Sequence, residues 1–119
     1  MIIMKDDFPL LKKWYEISDW LMDRAEKFPK IVRFTFSNRI VNLTLNILEK
    51  ITQAVYEEKR LALLQKISYD IEKLRILIRL AKDRHYLSIS QYKFISQEIN
   101  EAGKMLGGWI KSEKKKVIK

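Results

Sequence analysis

A run of apolar residues spaced alternately three and four apart, Leu64, Ile67, Ile71, Leu74, Ile78 and Ala81, constrains this chain more than any other feature. Such a series lines one side of an α-helix and does not fit the two-residue period of a strand. The same spacing returns in Tyr92, Ile95, Ile99, Ala102, Leu106 and Trp109. A helix with one apolar seam must bury it against another element, so two such seams predict helix-on-helix packing. Three glycines and two prolines in 119 residues leave little material for the turns of a small all-β fold. There are no cysteines, which excludes disulfides and thiolate metal sites and fits a cytoplasmic protein. No apolar run approaches the length of a membrane span, and Met1-Ile2-Ile3-Met4 is too short for a signal peptide.

Taken in order, Asp6-Asp7-Phe8-Pro9 reads as a helix start, with carboxylates facing the positive end of the dipole and proline at the first helical position. Leu11, Trp14, Leu21, Ala25 and Phe28 fall near one face of that helix, with Ile17 and Trp20 beside it. It is expected over about 9–28, ending before Pro29. A second helix over about 30–56 carries two apolar stripes. One is Phe34, Val41, Leu45, Leu48 and Val55; the other is Phe36, Ile40, Leu43, Ile47, Ile51 and Ala54. Two stripes are more than one face of a small bundle needs. The second stripe is either a central core face or, on the sharper reading, an interface with another subunit through Phe36, Ile40, Leu43 and Ile47. Ser37, Asn38, Asn42, Thr44 and Asn46 interrupt the apolar lines. Helices over about 60–84 and 90–113 follow, the last opened by Ser88-Ile89-Ser90-Gln91, which has the form of a capping box. Gly103, Gly107 and Gly108 lie inside this helix, where each glycine costs about 1 kcal/mol against alanine. The alternatives are termination at Gly107 and close approach of another helix; the helix is expected to continue because Trp109 stays on the seam, with Gly107 and Gly108 joining the interface with another subunit. The whole is one domain, 1–119: an all-α, up-down-up-down four-helix bundle with a basic tail over 111–119.

The net charge of +9 is unevenly placed. Residues 59–84 hold eight Lys or Arg against three acids, and residues 104–119 hold six against one. A clustered surplus points to a polyanionic partner. Arg75, Arg79 and Lys82 form a ridge on the third helix opposite its apolar seam, and Arg84 extends it. Acids are scarce after Glu72, so these cations are read as available to phosphates. Lys111, Lys114, Lys115 and Lys116 form the second cluster. Tyr86, next to His85, is a candidate for stacking on a base.

Catalysis finds little support. His85 is the one histidine, so no histidine pair exists for proton shuttling or metal binding. Arg79 and His85 fit the loose Arg-to-His spacing of helical-bundle endoribonucleases, in which the histidine moves a proton and the arginine holds the phosphate. Leu80, which follows the arginine, is usually polar in those enzymes, and a surface or capping role for His85 is the plainer reading. Tyr69-Asp70 lacks the second carboxylate of a polymerase metal site, and no phosphate loop, nucleophile elbow or zinc spacing is present. No catalytic residue, metal or cofactor is expected.

Three segments in order, Phe28-Pro-Lys-Ile-Val-Arg-Phe-Thr-Phe36, Leu74-Arg-Ile-Leu-Ile-Arg-Leu-Ala-Lys-Asp83 and Gly103-Lys-Met-Leu-Gly-Gly-Trp-Ile110, resemble the accessory variability determinant proteins of diversity-generating retroelements. The likeness spans residues 10 to 112. The bundle proteins encoded in intervening sequences of large-subunit ribosomal RNA share the fold, but normally differ after the Phe-Pro. The resemblance implies a barrel-like homopentamer with a basic surface. It implies binding to the element's reverse transcriptase and to RNA or an RNA–DNA hybrid, in support of mutagenic copying of template RNA. It also implies that the family's basic residues match Arg75 and Arg79. The alternatives are an RNA-binding bundle of the intervening-sequence type, a ribonuclease using Arg79 and His85, and an oligomer whose charge only keeps it soluble.

Overall fold

The computed structural model describes residues 8–118. Its α-helices are α1 (Pro9–Ala25), α2 (Asn38–Tyr56), α3 (Leu61–Asp83) and α4 (Ile89–Ile118). Each packs against its neighbours in the chain, and α4 returns to α1, closing the ring of helices. Short connections force consecutive helices antiparallel. The acidic start read at Asp6 and Asp7 lies outside the described residues.

The seams read from spacing are the core. Leu64, Ile67, Ile71, Leu74, Ile78 and Ala81 on α3 are buried, as are Ile95, Ile99, Ala102 and Leu106 on α4. From α1 come Leu11, Trp14, Ile17, Leu21 and Ala25. The second stripe of α2 completes it: Ile40, Ile47, Ile51 and Ala54 are all at most 1% exposed. The polar residues in that stripe divide cleanly. Thr44 and Ser37 are buried and the asparagines are not. Thr44 is tolerated because its hydroxyl donates to the Ile40 carbonyl at 2.7 Å, and its own carbonyl accepts from the Trp14 indole at 3.0 Å. The fully buried Trp14 thus ties α1 to α2 without leaving its N–H unpaired.

The entry into α2 differs from the single helix expected over 30–56. Pro29 precedes a 3₁₀ turn, Lys30–Val32, and a π turn, Arg33–Ser37, before regular helix begins. These turns direct Phe36 inward. Its ring lies 5.6 Å from that of Tyr86 and 6.3 Å from that of Phe28, and Phe28 and Tyr86 are 5.4 Å apart. This cluster plugs one end of the bundle. Ile31 and Phe34 point the other way and are 89% and 84% exposed.

Helix ends follow their sequence signals. Ser88 Oγ accepts from the Gln91 amide at 3.1 Å, and Gln91 Oε1 accepts from the Ser88 amide at 2.9 Å, which is the capping box. At the end of α3, the Tyr86 amide donates to the Ala81 carbonyl at 2.8 Å and the His85 amide to Lys82 at 2.9 Å. That pair is a Schellman stop, and His85 holds its left-handed position with φ of 64°. The last helix runs unbroken through Gly107 and Gly108 to Ile118, five residues beyond the expected end. The segment read as a basic tail is therefore helical throughout its described part.

Three ion pairs, two of them through Lys13, fasten the helices. Lys13 on α1 reaches Glu101 at 2.6 Å and Glu98 at 2.9 Å on α4. The hydrogen bond to Glu101, then that to Glu98, raises the Lys13 ammonium above the ordinary lysine value of 10.5. Asp70, buried on α3, meets Lys50 of α2 at 2.5 Å and Lys73 at 3.6 Å. A buried carboxylate is tolerable only with such partners.

Candidate nucleic-acid interface

Cations are useful to an external phosphate only if the chain does not already hold them. Arg75 is held. Its Nη1 donates to Asn100 Oδ1 of α4, and its Nε lies 3.0 Å from Glu72 Oε1, one turn earlier. Its Nη2 sits 3.0 Å from where a Cβ on Gly103 would be. The sequence reading placed Arg75 among the available cations; the structure makes it a strut between α3 and α4. Glu72, the last acid before the basic stretch, is the partner. Gly103 is small because a guanidinium, not another helix, lies against it.

Lys82 and Lys116 are partly committed. Lys82 Nζ lies 3.2 Å from Asp83 and 4.9 Å from the centre of the Tyr92 ring, and Lys116 Nζ lies 3.0 Å from the buried Glu113. Arg79, Arg84, Lys111, Lys114 and Lys115 are exposed and make no ion pair among the described residues. Of the cations read as a binding set, these five meet a polyanion without first breaking a contact.

The structure does not bring the two basic clusters together. Because α4 starts beside the end of α3, Arg84 and Lys114 stand at opposite ends of the bundle, on the order of 38 Å apart at 1.5 Å per residue. Tyr86, read as a stacking platform, belongs to the buried-end ring cluster with Phe28 and Phe36 and does not offer a free face. His85 is exposed beside Arg84.

The residues read as a subunit interface also need correction. Ile40 and Ile47 lie in the core of the single chain and cannot meet another copy. Phe36 is half-buried in the ring cluster, and Leu43 is half-buried between α2 and α3. Gly107 and Gly108 do face open space: a Cβ at either would have no neighbour within 4 Å. Ile31 and Phe34, in the turns before α2, are apolar surface that stays bare instead.

Positions overlooked in the sequence lie on the outer face of α2 and α3. Arg39, Lys66, Tyr69 and Lys73 are exposed there, with Asn42 and Asn46. Their signal was positional, since all stand off the apolar seams. Among the described residues, no group of three or more His, Cys, Asp or Glu side chains is placed to hold a metal, and no helix is long and apolar enough to cross a membrane.

No curated protein sequence matches the chain. A family model described as bAvd-like matches residues 8–113, from the start of α1 almost to the end of α4, and includes Arg75, Arg79, the Schellman stop and the glycines of α4. The chain therefore belongs to the bAvd-like family, a family of accessory proteins of diversity-generating retroelements.

Proposed function

We propose that this chain is a non-catalytic adaptor that binds RNA or an RNA–DNA hybrid and docks the element's reverse transcriptase during mutagenic copying of template RNA. Family membership supplies the setting. The observation that carries the binding role is the exposure of Arg79 and Arg84, and of Lys111, Lys114 and Lys115, without ion-pair partners among the described residues of a +9 chain. Phosphate contacts by such groups dominate affinity and carry little sequence information. The binding set so defined omits Arg75, keeps Arg79 and Arg84, and adds Lys82 and Lys116 only where a phosphate displaces Asp83 or Glu113. Self-assembly, as a pentamer by family likeness, uses surface outside the core residues Ile40 and Ile47; Ile31, Phe34, Gly107 and Gly108 are the open positions.

The test is a salt titration of RNA affinity. Each phosphate contact with a single strand contributes about 0.7 to the slope of log K against log salt. Replacing Arg79 and Arg84 by alanine is expected to flatten the slope by about 1.4, while Arg75→Ala leaves the slope alone and lowers stability. An unchanged slope in the double variant moves the site elsewhere. Affinity capture from the native host, with and without nuclease, tests whether the reverse transcriptase co-purifies and whether RNA bridges the two. The ribonuclease reading has one observation in its favour, the exposure of both Arg79 and His85 near the same end of the bundle. RNA cleavage by clean protein, lost on His85→Ala, decides for the enzyme.

A further inference from the structure

The groove between α2 and α3 is a basic surface that the phosphate-binding residues above do not use. Arg39, Asn42, Leu43, Asn46, Lys73 and Ile76 line it, and Tyr69 stands at its rim. Three properties set it apart from an ordinary solvated face. The first is bare ring and hydrocarbon: Tyr69 is 67% and Ile76 70% exposed. The second is cation without acid among the lining residues: Arg39 and Lys73 line the groove and no carboxylate does. Asp70 is buried and already faces Lys50 and Lys73, and Arg39 and Lys66 make no ion pair among the described residues; the exposed Glu49 stands one turn beyond Asn46 on α2, past the lining. The third is a row of exposed amides, Asn38, Asn42 and Asn46, at successive turns of α2 and so about 6 Å apart along its axis.

We propose that this groove binds a single strand of nucleic acid, one base stacked on the free face of Tyr69, its phosphates held by Arg39, Lys66 and Lys73. The inference rests on the reading that the chain binds nucleic acid, and names a second, strand-selective site for it. Lys73 Nζ lies 4.9 Å from the centre of the Tyr69 ring and occupies one face of it. The lysine fixes the ring and leaves its other face to a base, with a phosphate within reach of the same ammonium. Stacking on an aromatic side chain requires an unpaired base, since a duplex offers its flat faces only at its ends. Asparagine amides both donate and accept, so Asn42 and Asn46 suit base edges of any identity.

A symmetric contact with a second copy is the competing occupant. It would set Arg39, Lys66 and Lys73 against themselves, and like charges across an interface are costly. A strand of phosphates has the complementary charge.

The experiment measures anisotropy of labelled oligoribonucleotides, single-stranded and duplex, with intact protein and with Tyr69→Ala, Tyr69→Trp and the Arg79→Ala, Arg84→Ala double variant. Tyr69 is exposed, so its replacement leaves the bundle folded, with helicity and sedimentation as controls. Loss of one base stack predicts about tenfold or greater weakening for the single strand in Tyr69→Ala, unchanged duplex binding, and recovery in Tyr69→Trp. Tyr69→Trp should also show fluorescence quenching on addition of oligouridylate. Single-strand affinity unchanged in Tyr69→Ala, with loss in the arginine variant, overturns the groove and leaves the adaptor reading standing. Altered sedimentation of Tyr69→Ala with unaltered RNA affinity overturns it in favour of a second copy. Absence of any RNA binding at low salt overturns both readings together.

Discussion

Three glycines in one helix make a graded experiment. Gly107 and Gly108 lie inside α4, and a Cβ at either meets nothing within 4 Å. Alanine there gains helix propensity at no steric cost, about 0.8–1 kcal/mol each. Gly103 has the same backbone setting but not the same surroundings, because Arg75 Nη2 would sit 3.0 Å from the new methyl. The guanidinium is the far end of a flexible chain and can swing away. Doing so gives up its bond to Asn100 and loosens its contact with Glu72. A charge-assisted hydrogen bond at a partly exposed site is worth about 1 kcal/mol, which cancels the propensity gain. Equilibrium urea unfolding should therefore give stabilisation for Gly107→Ala and Gly108→Ala and a change near zero for Gly103→Ala. In an Arg75→Ala background, Gly103→Ala should recover its full gain, a coupling of about 1 kcal/mol in the double-mutant cycle. Equal stabilisation at all three positions with Arg75 present would refute the strut. Sedimentation on the same variants adds a separate answer: Gly107→Ala or Gly108→Ala that is more stable yet no longer assembles locates a second copy against that face of α4.

Other outcomes follow from single contacts. His85→Gly should stabilise by about 1 kcal/mol in thermal melts, because it relieves a non-glycine residue from a left-handed position at φ of 64°. Asp70→Ala should destabilise by about 1.5–3 kcal/mol in urea, since it removes the buried partner of Lys50 and Lys73. The Lys13 value is raised, so the stability it contributes is complete below the unfolded lysine range and is lost as pH climbs through the higher folded value. Wild type should accordingly fall toward the stability of Lys13→Met only above about pH 10.5, a convergence seen by urea unfolding at pH 8 and pH 11. Trp14→Phe should cost about 1 kcal/mol or more, because the Thr44 carbonyl loses the indole donor and the smaller ring leaves space.

What the spacing of residues made legible was the core. Every α3 seam residue from Leu64 to Ala81 is buried, and the Ser88–Gln91 box forms with both of its bonds. Those features depend on positions within one helix, which a sequence displays directly. The errors fell where the answer depends on a second helix. Which α2 stripe faces inward is decided by where α1 and α3 stand, so Ile40 and Ile47 could be taken for an interface. Arg75 is spent on Asn100, twenty-five residues away, and no i,i+4 rule can reveal that pairing. The π turn before α2 leaves no mark in the sequence, because Arg33-Phe34-Thr35-Phe36-Ser37 carries no glycine or proline. It leaves Phe34, expected to lead the first stripe of α2, exposed before the regular helix begins, while Phe36 joins the ring cluster.

The distribution of committed charge gives the bundle a direction. On α1 and the turn after it, Glu16, Asp19, Asp23 and Glu26 follow one another along an exposed stripe; Lys13 is turned to α4 and Lys27 to Asp23, and Lys12 is exposed without an ion pair among the described residues. On the opposite side, Arg39, Lys66, Arg79 and Arg84 make no ion pair among the described residues. A polyanion approaching within a Debye length, about 8 Å at physiological salt, is therefore drawn to α2 and α3 and turned away from α1. On the adaptor reading proposed above, the α1 face would stay open for a protein while nucleic acid binds across the bundle from it. Reversing charge at Asp19 and Asp23 to lysine should then raise RNA affinity by adding a second binding face. If the same change leaves affinity untouched, RNA does not approach within reach of α1, and the one-sided arrangement is set by contacts and not by the field.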